Sequence, residues 1–232
     1  MKRLIFLLAI IAITTSCESP IKGNGNIIKT DRKVADFDEI DISGSFEVHL
    51  KQGDRYNVVV QADENLQEHI DTYVKGDRLH IKSERMLSSR DLKIYVTTKN
   101  LKEIESSGAA EIYMKNQFNA EDFRVDVSGA AQLDLDLRCA DLNIEVSGAC
   151  ELAARGVVEE MHLQSSGASE VMATDLKASK CWVDLSGAGE VDIWAVEELH
   201  IQVSGAGEVN YKGSPEKITQ DISGAASVTR LQ

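Results

Sequence analysis

Apolar and polar residues alternate along most of the chain, and a bend motif interrupts the alternation at regular intervals. The tripeptide Ser-Gly-Ala occurs seven times in the second half of the chain, beginning at Ser107, Ser128, Ser147, Ser166, Ser186, Ser204 and Ser223. Successive motifs begin 18 to 21 residues apart. A fixed period of this length is typical of proteins in which each repeat packs against the next one.

The apolar positions around each motif follow a two-residue period. In the third copy, Ile144 and Val146 precede the motif, and Leu152 and Ala154 follow it in the same alternation. Period-two alternation in segments rich in β-branched residues predicts half-buried strands. Each repeat is therefore predicted to be a strand, a bend at the glycine, a second strand and a return loop.

These patterns predict an all-β fold of the parallel β-helix or β-solenoid type, right-handed and with about eight turns. The eighth copy is Ser43-Gly44-Ser45, which has Ile40 and Ile42 before it and Val48 and Leu50 after it. Residues 27–232 are predicted to form a single domain. Within it, residues 101–232 carry the regular repeats, and residues 51–100 form a β-rich excursion with one helical turn near residues 63–70 and a hairpin turn at Gly76-Asp77.

The first 16 residues have the layout of a bacterial lipoprotein signal peptide. Lys2 and Arg3 precede a short apolar run, and small residues lead directly to Cys17. In such proteins the signal is cut before the cysteine, which becomes lipidated, so Cys17 is the predicted anchor. An ordinary signal peptide with an incidental cysteine is the alternative. Residues 17–26 are predicted to form a tether, and the sequence leaves open the periplasmic or cell-surface side of the outer membrane.

The charge of the chain limits its partners. The formal net charge of −13 becomes −15 when Lys2 and Arg3 are removed with the signal, because all 38 acidic residues remain. Such a chain is not expected to bind nucleic acid or anionic lipid. Three cysteines remain after Cys17, an odd number that does not suggest a disulfide framework, and Cys150 and Cys181 are predicted to be small buried apolar residues.

Carboxylates recur four residues after the motif serines. If the repeats stack, Glu151, Glu170, Glu190 and Glu208 form a ladder with steps of ~4.8 Å. The simpler interpretation is a soluble face that prevents aggregation. The functional alternative is loosely bound Ca²⁺, although a calcium site needs about six or more oxygen ligands. No other cofactor is expected.

Three aromatic residues lie four residues before three successive motif serines. His162, Trp182 and His200 are predicted to stack on an outward face, beside a second row formed by Gln164, Asp184 and Gln202. Aromatic rings flanked by amides and a carboxylate suit a sugar ring. The alternatives are contact with a cell-surface protein, contact with a second copy of the chain, a site covered by a loop, or an incidental arrangement.

Catalytic chemistry has little support in the sequence. The acids form uniform rows without a central Arg or Lys, and no phosphate-binding loop or metal-spaced His/Cys set is present. The predicted role is therefore a non-catalytic, lipid-anchored and exported structural or adhesive surface module. The alternative is a β-helix protein that binds or cleaves polysaccharide.

The layout of the chain resembles a known family. Gly23-Asn24-Gly25-Asn26, then Ile40-Asp41-Ile42-Ser43-Gly44, then Val58 to Leu66 and the serial Ser-Gly-Ala motifs are similar to the auto-transporter adhesin head GIN domain of Bacteroidetes lipoproteins. The resemblance covers residues 23–232. It implies a right-handed parallel β-helix-like fold and an exported location, and it supplies no catalytic residues.

Overall fold

The computed structural model describes residues 19–231, so the predicted signal peptide and Cys17 lie outside the described residues. In this part of the chain almost every regular element is a strand, and the helix present is a short 3-10 helix, η1 (Glu64–His69). The strands are β1 (Ile21–Lys22), β2 (Ile27–Arg32), β3 (Glu39–Gly44), β4 (Glu47–Gln52), β5 (Asn57–Asp63), β6 (Asp71–Lys75), β7 (Arg78–Lys82), β8 (Leu87–Ser88), β9 (Lys93–Thr98), β10 (Glu103–Met114), β11 (Phe118–Asn119), β12 (Asp122–Gly187), β13 (Glu190–Gly205), β14 (Glu208–Lys212), β15 (Lys217–Gly224) and β16 (Ser227–Arg230).

Equivalent residues of successive repeats pair with each other in the second half of the chain. Strand β10 runs parallel to β12, with Ser107 opposite Ser128 and Gly108 opposite Gly129. The pairs of β12 with β13, and of β13 with β14 and β15, are also parallel. The predicted register, in which residues about one repeat apart become neighbours, is confirmed for these strands.

The prediction of a parallel β-helix over residues 27–232 is wrong, because the sheet is mixed. Strand β5 lies antiparallel between β2 and β9, and β6 is antiparallel to β7. These strands belong to the same 14-stranded sheet of the described chain as the repeats. The structure is therefore an all-β fold built on one mixed sheet, with antiparallel strands at its N-terminal end.

A short connection explains the antiparallel pair of β6 and β7. Gly76 and Asp77 form the whole connection between β6 and β7, and two residues can join only antiparallel neighbours. Gly76 has φ +65°, a conformation that favours glycine. The hairpin and the helical turn predicted in this region are both confirmed, and Leu66 of η1 is fully buried.

The inward positions of the strands form one continuous hydrophobic core. Val146, Leu163 and Val183, from three successive repeats, are all buried in it. Three cysteines are also buried, and burial raises the pKa of the Cys139 and Cys181 thiols to about 12 and that of Cys150 to about 11. The prediction that Cys150 and Cys181 serve as small buried apolar residues is confirmed.

The motif glycines allow neighbouring corners to lie very close together. Gly167 has φ +116°, and a Cβ atom added there would lie 2.5 Å from the carbonyl oxygen of Gly148. A side chain at this position would be both strained and obstructed. The motif is therefore required by backbone packing at the corner.

Most of the segment predicted as a tether is fastened to the folded body. Strand β1 pairs with β8, and the N–H of Gly25 donates to Asp63 Oδ1 at 2.6 Å. Asp63 is buried and also accepts a hydrogen bond from the Ser89 hydroxyl at 2.6 Å. The chain therefore meets the body within a few residues of Cys17, at the N-terminal end of the sheet.

Candidate contact surface

The structure brings His162, Trp182 and His200 into one stack. The centroids of His162 and Trp182 are 4.4 Å apart with an interplanar angle of 6°, and those of Trp182 and His200 are 5.6 Å apart at 1°. The register sets this arrangement, because Trp182 lies directly opposite His200 in the parallel pair of β12 and β13. All three side chains are partly exposed.

The stacking changes what these rings can offer to a ligand. Each face of Trp182 is covered by a histidine ring, so the indole face is not free to pack on a sugar ring. What remains for contact is the ring edges, which carry the ring nitrogens. The stack thus presents a row of ring edges with hydrogen-bonding atoms along it.

The second predicted row lies beside this stack of rings. Gln164, Asp184 and Gln202 are exposed, and with the three rings they line an open groove of about 480 Å³. The groove continues to Thr219 and Asp221 on β15. The predicted strip, named here the aromatic ledge, is therefore one connected surface formed by six residues from three repeats.

A charged cluster borders the ledge at His200. Glu198 Oε1 lies 2.6 Å from His200 Nε2 and also contacts Lys217 Nζ. The hydrogen bond from Lys217, together with that of His200, lowers the pKa of the Glu198 carboxyl. The carboxylate thereby fixes the position of the last ring of the stack.

The predicted acidic ladder is also present. Glu170 lies opposite Glu190, and Glu190 lies opposite Glu208. Repulsion from Asp192, together with burial, Glu208 and Glu170, raises the pKa of Glu190. The ladder, including Glu151, borders a groove of about 930 Å³ whose floor is formed by the motif alanines. Within residues 19–231, no three His, Cys, Asp or Glu side chains gather in a way that could hold a metal ion.

A second aromatic stack was missed by the sequence analysis. His49 lies between Tyr95 and Tyr113, with centroids 5.1 and 5.7 Å apart. His49 and Tyr113 both come six residues after a motif serine, so their shared position could have revealed this pair. Tyr95 belongs to β9, outside the repeats, and carried no such signal.

A carboxylate cluster around Arg78 was also missed. The guanidinium of Arg78 contacts Glu39 at 2.8 Å, Glu103 at 3.0 Å and Glu105, so it bridges β7, β3 and β10. Its sequence signal was weak, because the three acids come from outward positions that elsewhere form solvated rows. This cluster joins the N-terminal part of the sheet to the first repeat.

The chain is similar in sequence and structure to proteins described as putative adhesins. A family model described as "putative auto-transporter adhesin, head GIN domain" matches residues 36–215. A putative adhesin from Bacteroides fragilis is 22% identical with a TM-score of 0.88, covering 91% of this chain and 100% of that chain. A putative lipid binding protein from Parabacteroides distasonis is 25% identical with a TM-score of 0.79, covering 92% and 100%.

A third solved structure has the same fold. A putative adhesin from Parabacteroides merdae is 19% identical with a TM-score of 0.67, covering 93% of this chain and 100% of that chain. No curated protein matches the sequence. None of the helices among residues 19–231 has the length and apolar character that crossing a bilayer requires. Since the family model covers most of the sequence, the chain belongs to the putative auto-transporter adhesin, head GIN domain family.

Proposed function

We propose that this chain is a lipid-anchored, exported and non-catalytic adhesive module that uses the aromatic ledge as a contact surface. Family membership supports the adhesive role. The observation that carries the proposal is the in-register stack of His162, Trp182 and His200, which forms a preorganised outward surface on rigid strands. Cys17, at the end of the signal-like segment, is the proposed lipid attachment point.

The geometry of the ledge favours recognition through hydrogen bonds. Its ring nitrogens can form hydrogen bonds, apart from His200 Nε2, which lies 2.6 Å from Glu198 Oε1. Gln164, Asp184 and Gln202 of the ledge add amide donors and carbonyl or carboxylate acceptors. Because the side chains of the ledge repeat at the strand spacing of ~4.8 Å, the ledge suits an extended partner. A segment of a cell-surface protein or a hydroxyl-rich glycan lying along the groove has this chemistry.

The non-catalytic part of the proposal rests on how the acids are arranged. Glu170, Glu190 and Glu208 stand in a row on one face, without a cationic side chain at its centre. Acid catalysts in glycan cleavage work instead as a pair of carboxyl groups on either side of one bond. Incubation of the purified protein with acidic polysaccharides should yield no cleavage products, and a product ladder would contradict this part of the proposal.

Attachment of cells expressing the full chain tests the role of the ledge. We expect Trp182→Ala to reduce binding to host cells or to a glycan array at least tenfold, because it removes the central ring and frees both histidines. Trp194→Ala is the matched control, since Trp194 is also partly exposed but stacks with Lys177 and Lys212 away from the ledge. Equal binding by wild type and the Trp182 variant, at equal surface amounts, would remove the ledge from the proposal.

A further inference from the structure

The C-terminal end of the sheet leaves core positions uncovered. Ile218 and Ile222 of β15 are 44% and 42% exposed, although their register partners on β13, Leu199 and Val203, are 0% and 1% exposed. In the described part of the chain β15 pairs with β13 on one side, and its other edge has no strand partner. An open strand edge with exposed apolar residues is a site for pairing with another strand.

The N-terminal end of the described sheet is better covered. The ladder of β15 ends there at β6, whose inward residues Thr72 and Val74 are partly buried. On the other ladder, antiparallel β5 and β2 lie beyond β9, and Leu66 of η1 is fully buried. The outer strand β2 carries Lys29, Asp31 and Arg32, which oppose edge-to-edge pairing. Strand β6 likewise has the charged residues Asp71 and Lys75 at its two ends. The open C-terminal end therefore fits a second copy of itself better than a head-to-tail neighbour.

The sequence of β15 is self-complementary when two copies run antiparallel with Gln220 opposite Gln220. Ile218 of one copy then lies opposite Ile222 of the other, twice, and these residues are on the same face as Gln220. On the opposite face, Asp221 lies opposite Thr219 of the second copy, and Lys217, which contacts Glu198 of its own chain, lies diagonal to it. A twofold axis at Gln220 thus pairs the exposed isoleucines of the two copies with each other.

We propose that two copies of this chain associate end to end through β15, in the antiparallel register centred on Gln220. The pairing extends the sheet of one copy into the other and covers Ile218 and Ile222. A twofold contact of this type is closed and gives dimers rather than filaments.

The position of the open end gives this dimer a specific role, which rests on the proposed lipid anchor at Cys17. Strands β2 and β16 are at opposite ends of the strand order, and residues 21–26 lie at the β2 end. Cys17 is four residues before Ile21, so the anchor can lie at most about 14 Å from that end. The two anchors of the dimer therefore point in opposite directions, which suits a contact between two membranes.

A cysteine placed on the twofold axis tests the pairing directly. In the full chain, Gln220→Cys should form a disulfide-linked dimer under mild oxidation, because opposite residues of antiparallel strands have Cβ atoms about 4.5–5.5 Å apart, close to disulfide geometry. Gln132→Cys, exposed on an outward position of β12, is the matched control and should stay monomeric. The native Cys139, Cys150 and Cys181 are buried and contribute little background.

Two arrangements of the same experiment separate the dimer from its cellular role. At least half of the detergent-solubilised Gln220→Cys chains should form the disulfide-linked dimer. Adding Ile218→Lys and Ile222→Lys should reduce the dimer fraction at least tenfold. Two cell populations with differently tagged chains should give mixed-tag dimers after mixing. An absence of cross-linked dimer in detergent, or a series of cross-linked polymers there, would overturn the pairing. Cross-linked dimer in detergent without mixed-tag dimers on cells would support the pairing and contradict the surface-exposed anchor.

Discussion

A single methyl group at a repeat corner should be costly. Gly167→Ala places a Cβ atom 2.5 Å from the carbonyl oxygen of Gly148 while holding alanine at φ +116°. We expect a loss of at least about 2 kcal/mol in the free energy of unfolding, from backbone strain together with displacement of the neighbouring corner. Denaturant titration of purified protein measures the loss.

Gly76 is the matched control for this substitution. It also has positive φ, at +65°, but a Cβ atom there would meet nothing within 4 Å. Gly76→Asn should cost less than about 1 kcal/mol, because asparagine tolerates the left-handed conformation. Equal losses at the two positions would show that close approach of the corners does not explain why glycine recurs at the bend.

The buried thiols should be chemically silent in the folded protein. Burial raises the pKa of Cys139 and Cys181 to about 12 and that of Cys150 to about 11. The thiolate is the reactive form, so a thiol reagent at pH 8 should label none of the three until denaturant is added. In the unfolded chain the same thiols ionise at a lower pH than in the folded chain. The free energy of unfolding should therefore fall as the pH rises above about 9. Rapid labelling without denaturant would contradict the buried positions.

At the residue scale, the sequence predicted which positions point inward but not what the outward rings present. Alternation placed Val146 and Leu163 in the core, because a strand turns every second side chain inward. It also placed Trp182 next to His162 and His200. It could not show that ring faces would cover each other, because that depends on side-chain rotamers.

Two glutamates of strand β13, Glu190 and Glu198, should change the stability in opposite directions as the pH changes. Like charges, first Asp192, raise the pKa of Glu190, so its ionisation destabilises the folded protein as pH rises past about 4.5. Lys217 and His200 lower the pKa of Glu198, so its ionised form stabilises the folded protein above that pH and the benefit is lost as pH falls. Glu190→Gln should raise the Tm at pH 7, and Glu198→Gln should lower it.

The difference made by Glu190→Gln should vanish below the raised pKa of Glu190, and that made by Glu198→Gln should vanish only below the lowered pKa of Glu198, because each carboxyl is then protonated. Thermal unfolding over a range of pH measures both changes. The same scans with Ca²⁺ or EDTA test loose cation binding at the ladder. We expect neither addition to change the Tm, because no three His, Cys, Asp or Glu side chains of residues 19–231 gather to hold a metal ion. A rise in Tm with Ca²⁺ that Glu190→Gln lacks would favour the calcium alternative.

The Arg78 cluster should hold the N-terminal strands to the first repeat. Its side chain is 26% exposed and contacts Glu39, Glu103 and Glu105. Arg78→Gln leaves three carboxylates together, and we expect a loss of about 1 kcal/mol, given the partial exposure. High salt should reduce the loss by screening the carboxylates. Arg155→Gln, which frees Asp134 and Asp136 on a more exposed site, is the control and should lose less.

At the element scale, repeats were predictable and the mixed sheet was not. The period of 18 to 21 residues carries the parallel register because equivalent residues make the same contacts in each repeat. In residues 51–100 no period exists, so strand direction depended on connections. The Gly76-Asp77 turn gave one antiparallel pair, but nothing in the sequence showed that β5 would lie between β2 and β9.

At the scale of the whole molecule, the fastened N-terminal segment sets the orientation. Strand β1 pairs with β8, and Gly25 is held by Asp63, so a lipid at Cys17 would hold the antiparallel end of the sheet close to the membrane. The aromatic ledge and the open edge of β15 then lie farther out, because they belong to later repeats. This is the arrangement that a surface contact requires.

An epitope tag after residue 232 tests this orientation on intact cells. We expect added protease to remove the tag while a periplasmic marker in the same cells survives, because the C-terminal end of the sheet is opposite to the proposed anchor. Cys17→Ser should release the tagged chain from the membrane fraction without changing its thermal unfolding, since the first described strand begins at Ile21. A tag that is protected on intact cells and cleaved after permeabilisation would place the protein in the periplasm, and the ledge would then need a partner in that compartment.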